Sequence, residues 1–457
     1  MNDDRLDQLI RSSLEWQAEQ DARHAPSLAT SARRVAERLG PQPAGLRSVV
    51  TLRPASGRSF QLLLAVILLA LLAAVATIFV GSRTQEPTLP TGPTGSVAVA
   101  RTSGHAAVGL PDGRVLVVGG WRGFGPVGSA ELWDPITGTF TPSGTLDPAR
   151  NRASATLLQD GRVLVAGGFA GQYEYSSNAV ATAELWDPAT GSFTETGSLS
   201  VARAGHSATL LADGRVLVTG GGPSEVWDPA TGEFSQVGPV VGGPAIQLAD
   251  GRILVVDGPS AKVWEPGSAS ASEAGLLIEA RTNQTVTLLP DGRVLVVGGR
   301  AHPGTGEGGG ITDEGYEIVA DRGSPSRLAS AELWDPTMGK FTPAGPLARG
   351  RIGHTATLLP DGRVLILGGQ GVVDVVGNRG YRDFPGAELW DPVTGTFSAA
   401  PSLVETRADH SAILLADGRV LVLGGQGPED LESTLRSVEI YDPNRICSDC
   451  AGPNAIP

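Results

Sequence analysis

Cysteine is almost absent from this chain: its 457 residues include two, Cys447 and Cys450, in "CSDC" near the C-terminus. A zinc site would need two further ligands, and no second cysteine pair exists. Thioredoxin-like exchange needs a helix after the first cysteine to lower its pKa, whereas "CSDCAGPNAIP" continues through proline and glycine. A small-loop disulfide between Cys447 and Cys450 is the expectation, on the outer side of a membrane argued below. Lysine is nearly missing too, with only Lys262 and Lys340, so arginine carries the positive charge. No mechanism follows from that. Charged residues make up 18% of the chain against 62 glycines and 33 prolines, a balance that disfavours long helices and points to strands and turns.

Long apolar runs are also missing, with one exception. Leu62 to Val80, "LLLAVILLALLAAVATIFV", has no charge. At about 1.5 Å per residue it is long enough to cross a hydrocarbon core of roughly 30 Å. A cleaved signal peptide is the rival, but some sixty residues precede this run, where a signal peptide has a short charged region. Arg47, Arg53 and Arg58 precede it and Arg83 follows, so the positive-inside rule keeps the N-terminus in the cytoplasm. The expectation is a single-pass protein of the cell membrane, with its large C-terminal part extracellular or periplasmic. The cytoplasmic side holds a small excess of arginine over carboxylates, so the net charge of −13 comes from the exterior. An acidic exterior argues against nucleic acid as a partner.

What the chain has in abundance is repetition. "DGRVLVVGG" at 112–120 recurs with small edits, its turn aspartates being Asp112, Asp160, Asp213, Asp250, Asp291, Asp361 and Asp417. Residues 203–234, "RAGHSATLLADGRVLVTGGGPSEVWDPATGEF", show one copy. Two short aliphatic runs are joined by an Asp-Gly turn, and a third strand ends at Pro229. A turn through Gly232 then starts a fourth strand near Phe234. Each copy therefore reads as a four-stranded antiparallel meander. Such a small sheet cannot bury both faces alone, but seven arranged radially cover one another, which is a β-propeller.

The residues resemble the kelch-repeat family, whose marks are a strand ending in a double glycine and then two aromatics separated by six residues. Here the aromatic pairs are Trp133 with Phe140, Trp186 with Phe193, Trp227 with Phe234, Trp334 with Phe341 and Trp390 with Phe397. The resemblance covers about three quarters of the chain and is specific through repetition. The fourth copy departs from it: Asp257 replaces the first glycine and no aromatic follows Trp264 at the required distance. That blade is expected to be the weakest. The seventh stops after "VEIYDPNRI", so residues near 88–99 are expected to supply its outer strand and close the ring. In this reading each "RVLVVGG" is an inner strand beside the central channel.

The chain is thus expected to hold a short, mostly helical cytoplasmic segment over 1–59 and a transmembrane helix over 60–81. An all-β, seven-bladed kelch-type β-propeller follows over 82–445, and a tail with the CxxC pair over 446–457. In the head, Leu6, Leu9, Ile10, Leu14 and Trp16 are spaced mostly as one helical face.

Binding residues are sought where copies differ and where one face gathers them. Arg101, Arg150, Arg203, Arg281, Arg351 and Arg407 lie in the links between blades, and kelch propellers often bind ligands on that rim. Arginine there grips carboxylates, or else bridges blades internally. The long insertions after the double glycines emerge on the same face and hold Tyr173, Tyr175, Tyr316 and Tyr381. Tyrosine and arginine suit partner or sugar recognition. His105, His206, His354 and His410 start strands on separate blades, too far apart for one metal, and read as hydrogen-bonding residues. No metal and no cofactor is expected. The favoured function is binding of a protein, peptide or glycan on the insertion-bearing face. The alternative is a carbohydrate-active enzyme of galactose-oxidase-like type, with Asp313, Glu314, Glu317 and Asp383 as candidate acids and bases. The resemblance implies copper and a cysteine-linked tyrosine for such oxidases, and Cys447 and Cys450 lie beyond the last blade, where they cannot readily serve a site at the channel mouth.

Overall fold

A computed structural model describes residues 96–123, 125–171, 178–238, 242–301, 310–311, 317–318, 327–375, 378–383, 385–427 and 435–444. The apolar run at 62–80, the segment 1–59 expected to be cytoplasmic, and Cys447 and Cys450 lie outside them. Among the described residues every regular element is a strand, and no helix is long and apolar enough to cross a membrane.

The strands form seven blades. The first comprises His105–Gly109, Val115–Gly119, Ser129–Trp133 and Phe140–Thr145, hydrogen-bonded in that order. The second, third, fifth and sixth blades begin at Ser154, Ser207, Thr285 and Thr355 and repeat the same antiparallel order. Asp-Gly-Arg turns join first to second strands, and Asp-Pro turns join third to fourth, so both turn types lie on one face. The insertions and the links between blades lie on the other. The insertion of the sixth blade is itself a hairpin, Gln370–Val375 paired with Asn378–Asp383.

One expectation is corrected by this order. The first strand of each blade touches the first strand of the next, and the seventh touches the first. The "HSATLL" strands therefore surround the channel, and the "RVLVV" strands stand one place out. The difference is physical: Val115–Gly119 is buried at every residue, whereas most of His105–Gly109 is half-exposed to the channel. The second strand is aliphatic because it has a blade on each side.

Seven hydrophobic clusters fill the seven seams. Each joins one blade's core to the aromatic residue of the next, a tryptophan in six seams, as where Leu116, Val118 and Leu132 meet Trp186, and Tyr441 between blades six and seven. The last joins Leu421, Leu423 and Ile440 to Trp133 and closes the circle. The six-residue spacing of the aromatics is a hairpin register: Trp133 stands opposite Phe140, Trp186 opposite Phe193 and Trp390 opposite Phe397. Indole nitrogens reach back to the preceding blade's outer strand, Trp334 to the carbonyl of Ala274 at 2.8 Å and Trp390 to that of Ala344 at 2.9 Å.

The ends of the domain meet at blade seven. Its three strands are Ser411–Leu414, Val420–Leu423 and Val438–Tyr441. Ser96 forms an antiparallel bridge with Ser437, the Val97 amide donates to the Arg436 carbonyl at 3.1 Å, and the Val97 side chain is buried in the closing cluster. Residues 88–95, the rest of the expected closing strand, are not among those described.

Blade four is irregular, as its sequence implies. Its second and third strands form one continuous run, Ile253–Trp264. At about 3.3 Å per residue a straight run would put its ends some ~35 Å apart. Trp264 nevertheless shares a cluster with Ile253 and Val255, so the run doubles back at Asp257–Pro259. Opposite Trp264 stands Ala271 in place of phenylalanine. The seam between blades three and four holds six buried core residues, against nine to eleven in the other clusters.

Candidate functional site

The repeated arginines turn inward, and the expectation that they meet a ligand is corrected. Arg101, Arg150, Arg281 and Arg407 are wholly buried, and Arg203 and Arg351 almost so. Each guanidinium pairs with the glutamate two residues before the blade's tryptophan, or before Tyr441 in the seventh: Arg101 with Glu131 at 2.9 Å, Arg150 with Glu184 at 2.5 Å, Arg203 with Glu225 at 2.5 Å, Arg281 with Glu332 at 2.5 Å, Arg407 with Glu439 at 2.6 Å, and Arg351 with Glu388. The same carboxylates accept backbone amides from the incoming link, as Glu332 does from Ile278 and Glu279. Burial draws Arg351 down to about 10. A fully desolvated pair of this kind is costly to break from one side.

The link carbonyls complete the staple. Where the following blade has an arginine, the second glycine of the doublet donates its amide to that arginine's carbonyl, Gly168 to Arg203 at 2.8 Å and Gly369 to Arg407 at 2.9 Å. A side chain on Gly119 would lie 2.5 Å from the Arg150 oxygen. Glycine is required there by this approach.

The inward turn of the arginines leaves a different ring of residues at the channel mouth. Immediately before each first strand the backbone adopts a left-handed conformation, at Gly104, Arg152, Gly205, Gly242, Asn283, Gly353 and Asp409. Four copies use glycine. Arg152, Asn283 and Asp409 hold φ values of 52°, 55° and 53°, where a non-glycine residue costs about 1–2 kcal/mol. All three are exposed. Neighbouring ring positions are bonded through the backbone, the Arg152 amide to the Gly104 carbonyl and the Gly205 amide to the Arg152 carbonyl at 2.9 Å. All but Gly242 line a cavity of about 540 Å³ at the insertion-bearing end of the channel. This ring was legible in the sequence eight residues before each turn aspartate, where glycine, asparagine and aspartate, the types that best tolerate such φ values, occupy six of seven places.

Beneath the rim stand the histidines. His206 Nε2 is 2.9 Å from Ser154 Oγ, His354 Nε2 is 3.1 Å from Thr285 Oγ1, and His410 Nε2 is 3.0 Å from Thr355 Oγ1, each on the preceding blade. Burial, reinforced by the adjacent arginines, lowers His105 and His206 to about 4 and His354 and His410 to about 3. They are neutral at pH 7, and His206, His354 and His410 tie first strands together. Among the described residues no three His, Cys, Asp or Glu side chains gather into a metal-holding group. The described residues therefore do not fit a copper centre, and no step through copper is derived.

Tyr173, Tyr175 and Tyr316 lie outside the described residues, as do Asp313 and Glu314. Tyr381 sits in the sixth blade's hairpin opposite Val372, and Asp383 opposite Gln370; Glu317 pairs with Ile311 in the fifth blade's insertion. The structure places these three on insertions of the same face as the mouth.

No protein-family model matches the sequence, and no curated protein does either. Among solved structures, a fungal alcohol oxidase of the AA5 family, in complex with copper, is similar with a TM-score of 0.58 at 19% identity, over 77% of this chain and 76% of that one. A structure described as YjhT matches with a TM-score of 0.47 at 14% identity, over 77% of this chain and 95% of that one. At such identities the likeness concerns architecture alone, and the seven blades with the first of these matches show that the chain carries a seven-bladed β-propeller.

Proposed function

We propose that this protein is a membrane-tethered binding module, whose propeller lies outside the cell and takes a protein, peptide or glycan at the channel mouth on its insertion-bearing face. The observation that carries the reading is the rim: Arg152, Asn283 and Asp409 accept a backbone conformation that four other copies give to glycine, around a cavity of about 540 Å³. Strain of this kind persists where function needs the side chain. The cavity falls within the usual range for ligand sites, roughly 300–1,000 Å³. The tether is supported by the uncharged run 62–80 and by the arginines before it.

The full-length chain in nanodiscs, screened on peptide and glycan arrays, tests this. In an Arg152→Gly, Asn283→Gly, Asp409→Gly variant the rim is restored to the residue that the other copies use. It should fold normally and lose affinity for an array ligand by about tenfold or more, about 1.4 kcal/mol. Undiminished affinity would reject the mouth as the site. Copper-dependent turnover of sugars or alcohols would replace this reading with the enzymatic one.

A further inference from the structure

The seven Asp-Gly turns, on the face opposite the mouth, share one feature that bears on their chemistry: each is followed by arginine. Aspartate before glycine is the sequence most prone to isomerise, because glycine has no side chain to hinder its nitrogen. That nitrogen attacks the carboxyl carbon of the side chain, a C–N bond forms, and the N–H proton leaves with the carboxyl hydroxyl as water. Water then opens the cyclic imide at the former main-chain carbonyl, which is left as a free carboxylate, and the chain now runs through the aspartate side chain. The first step needs a neutral carboxyl group, since an ionised one has no hydroxyl to lose, and a glycine nitrogen free to approach it.

Both conditions are withheld in every copy. In blade four the Arg252 guanidinium grips Asp250 Oδ2, with Nε at 2.7 Å and Nη2 at 2.6 Å, and the Arg252 amide donates to Oδ1 at 3.0 Å. The Gly251 amide is itself engaged, donating to the Leu248 carbonyl at 3.0 Å. The same four bonds recur in the other six turns, as at Asp160, where Arg162 Nε lies 2.7 Å from Oδ2 and Gly161 donates to the Leu158 carbonyl at 3.1 Å. A forked guanidinium favours the charged carboxylate, which is the unreactive form. It draws Asp213, Asp250 and Asp417 below the ordinary carboxylate value. At Asp160, Asp291 and Asp361 partial burial acts upward, and the bonds from arginine outweigh it. As a stabilising pair the fork would add little, because both partners face solvent.

We infer that the arginine of each Asp-Gly-Arg turn protects its Asp-Gly bond from isomerisation, and that Asp250 is where isoaspartate first forms in the native chain. The Arg252 and Asp250 side chains are 42% and 50% exposed, the most open of the seven pairs. Other turns are steadied from a neighbouring blade: Arg293 reaches the Pro392 carbonyl and Arg363 reaches Asn444 Oδ1, both at 3.5 Å, and Gln159 ties its turn to the Ala212 carbonyl at 3.1 Å. The Asp250 turn makes no such bond among the described residues. Isomerisation there lengthens the main chain by a methylene group just before Ile253–Trp264.

Peptide mapping by electron-transfer mass spectrometry, which tells isoaspartate from aspartate, tests this on the full-length chain aged at neutral pH until the isomer is detected. In urea, where no fork exists, the seven turns should isomerise at similar rates and several-fold faster than in the folded chain, where Asp250 leads. The Arg162 side chain bonds only within its own turn. Folded Arg162→Ala should therefore isomerise several-fold faster at Asp160, with the other six turns and the Tm nearly unchanged. An unaltered rate at Asp160 in that variant, a rise at all seven turns alike, or equal rates in folded and unfolded chains overturns the protective role. Isoaspartate appearing first at another turn of the native chain overturns the assignment to Asp250.

Discussion

At the scale of single residues, the structure turns on groups hidden from solvent. Removing Arg150 would leave Glu184 buried and unpaired, so Arg150→Ala is expected to lower unfolding stability by about 3–5 kcal/mol. Arg150→Met with Glu184→Leu should recover most of it. Urea denaturation of both variants reads the difference, and equal losses in the two would contradict the buried-pair account. The histidines set a pH dependence. Their folded values, about 3 to 4, lie below the ordinary 6.5, so between those limits the unfolded chain binds more protons and stability falls as pH falls. The slope is at most about 1.4 kcal/mol per pH unit for each buried histidine. His354→Gln should flatten the Tm profile between pH 6.5 and 4, and the fifth copy already carries Gln284 at this position. An unaltered profile would remove the histidine from that role. The staple was half legible in the sequence. The arginines repeat visibly, but their glutamate partners lie 22 to 51 residues farther on, and only strand order joins them. The correlated loss in copy four, with no arginine before it and Lys262 within it, was the available signal.

At the scale of elements, the doublet glycines and the tryptophan–phenylalanine pairs were readable because each reflects local geometry: a hairpin register, or a backbone approach so close that an added Cβ would lie 2.5 Å from the neighbouring carbonyl. Which strand borders the channel was not readable. An aliphatic run does not tell whether its neighbour is another blade or water, and the more apolar strand proved to stand second. The sequence leads to the expectation that blade four is the weakest; its seam with blade three holds six buried core residues and its seam with blade five eleven. Native-state hydrogen exchange is accordingly expected to show the lowest strand protection in Ile253–Trp264 and Ala271–Thr282, with the faster exchange spreading to the third blade before the sixth. Protection equal to that of Val364–Leu367 would contradict the expected weakness.

At the scale of the molecule, seven meanders that are individually too small to bury their faces become stable by sharing seven seams. Closure also makes the candidate site: the mouth is rimmed by residues from separate blades and exists only if the ring is complete. The central claim is therefore the junction of the two ends at Ser96 and Ser437. Antiparallel bridge partners lie about 4.5–5.5 Å apart between Cα atoms, within disulfide reach. The direct measurement is mass spectrometry of the full-length Ser96→Cys, Ser437→Cys chain with Cys447 and Cys450 changed to serine. The account predicts an intramolecular disulfide in monomeric protein, formed without reductant and raising Tm. Free thiols, or disulfides only between molecules, would contradict it.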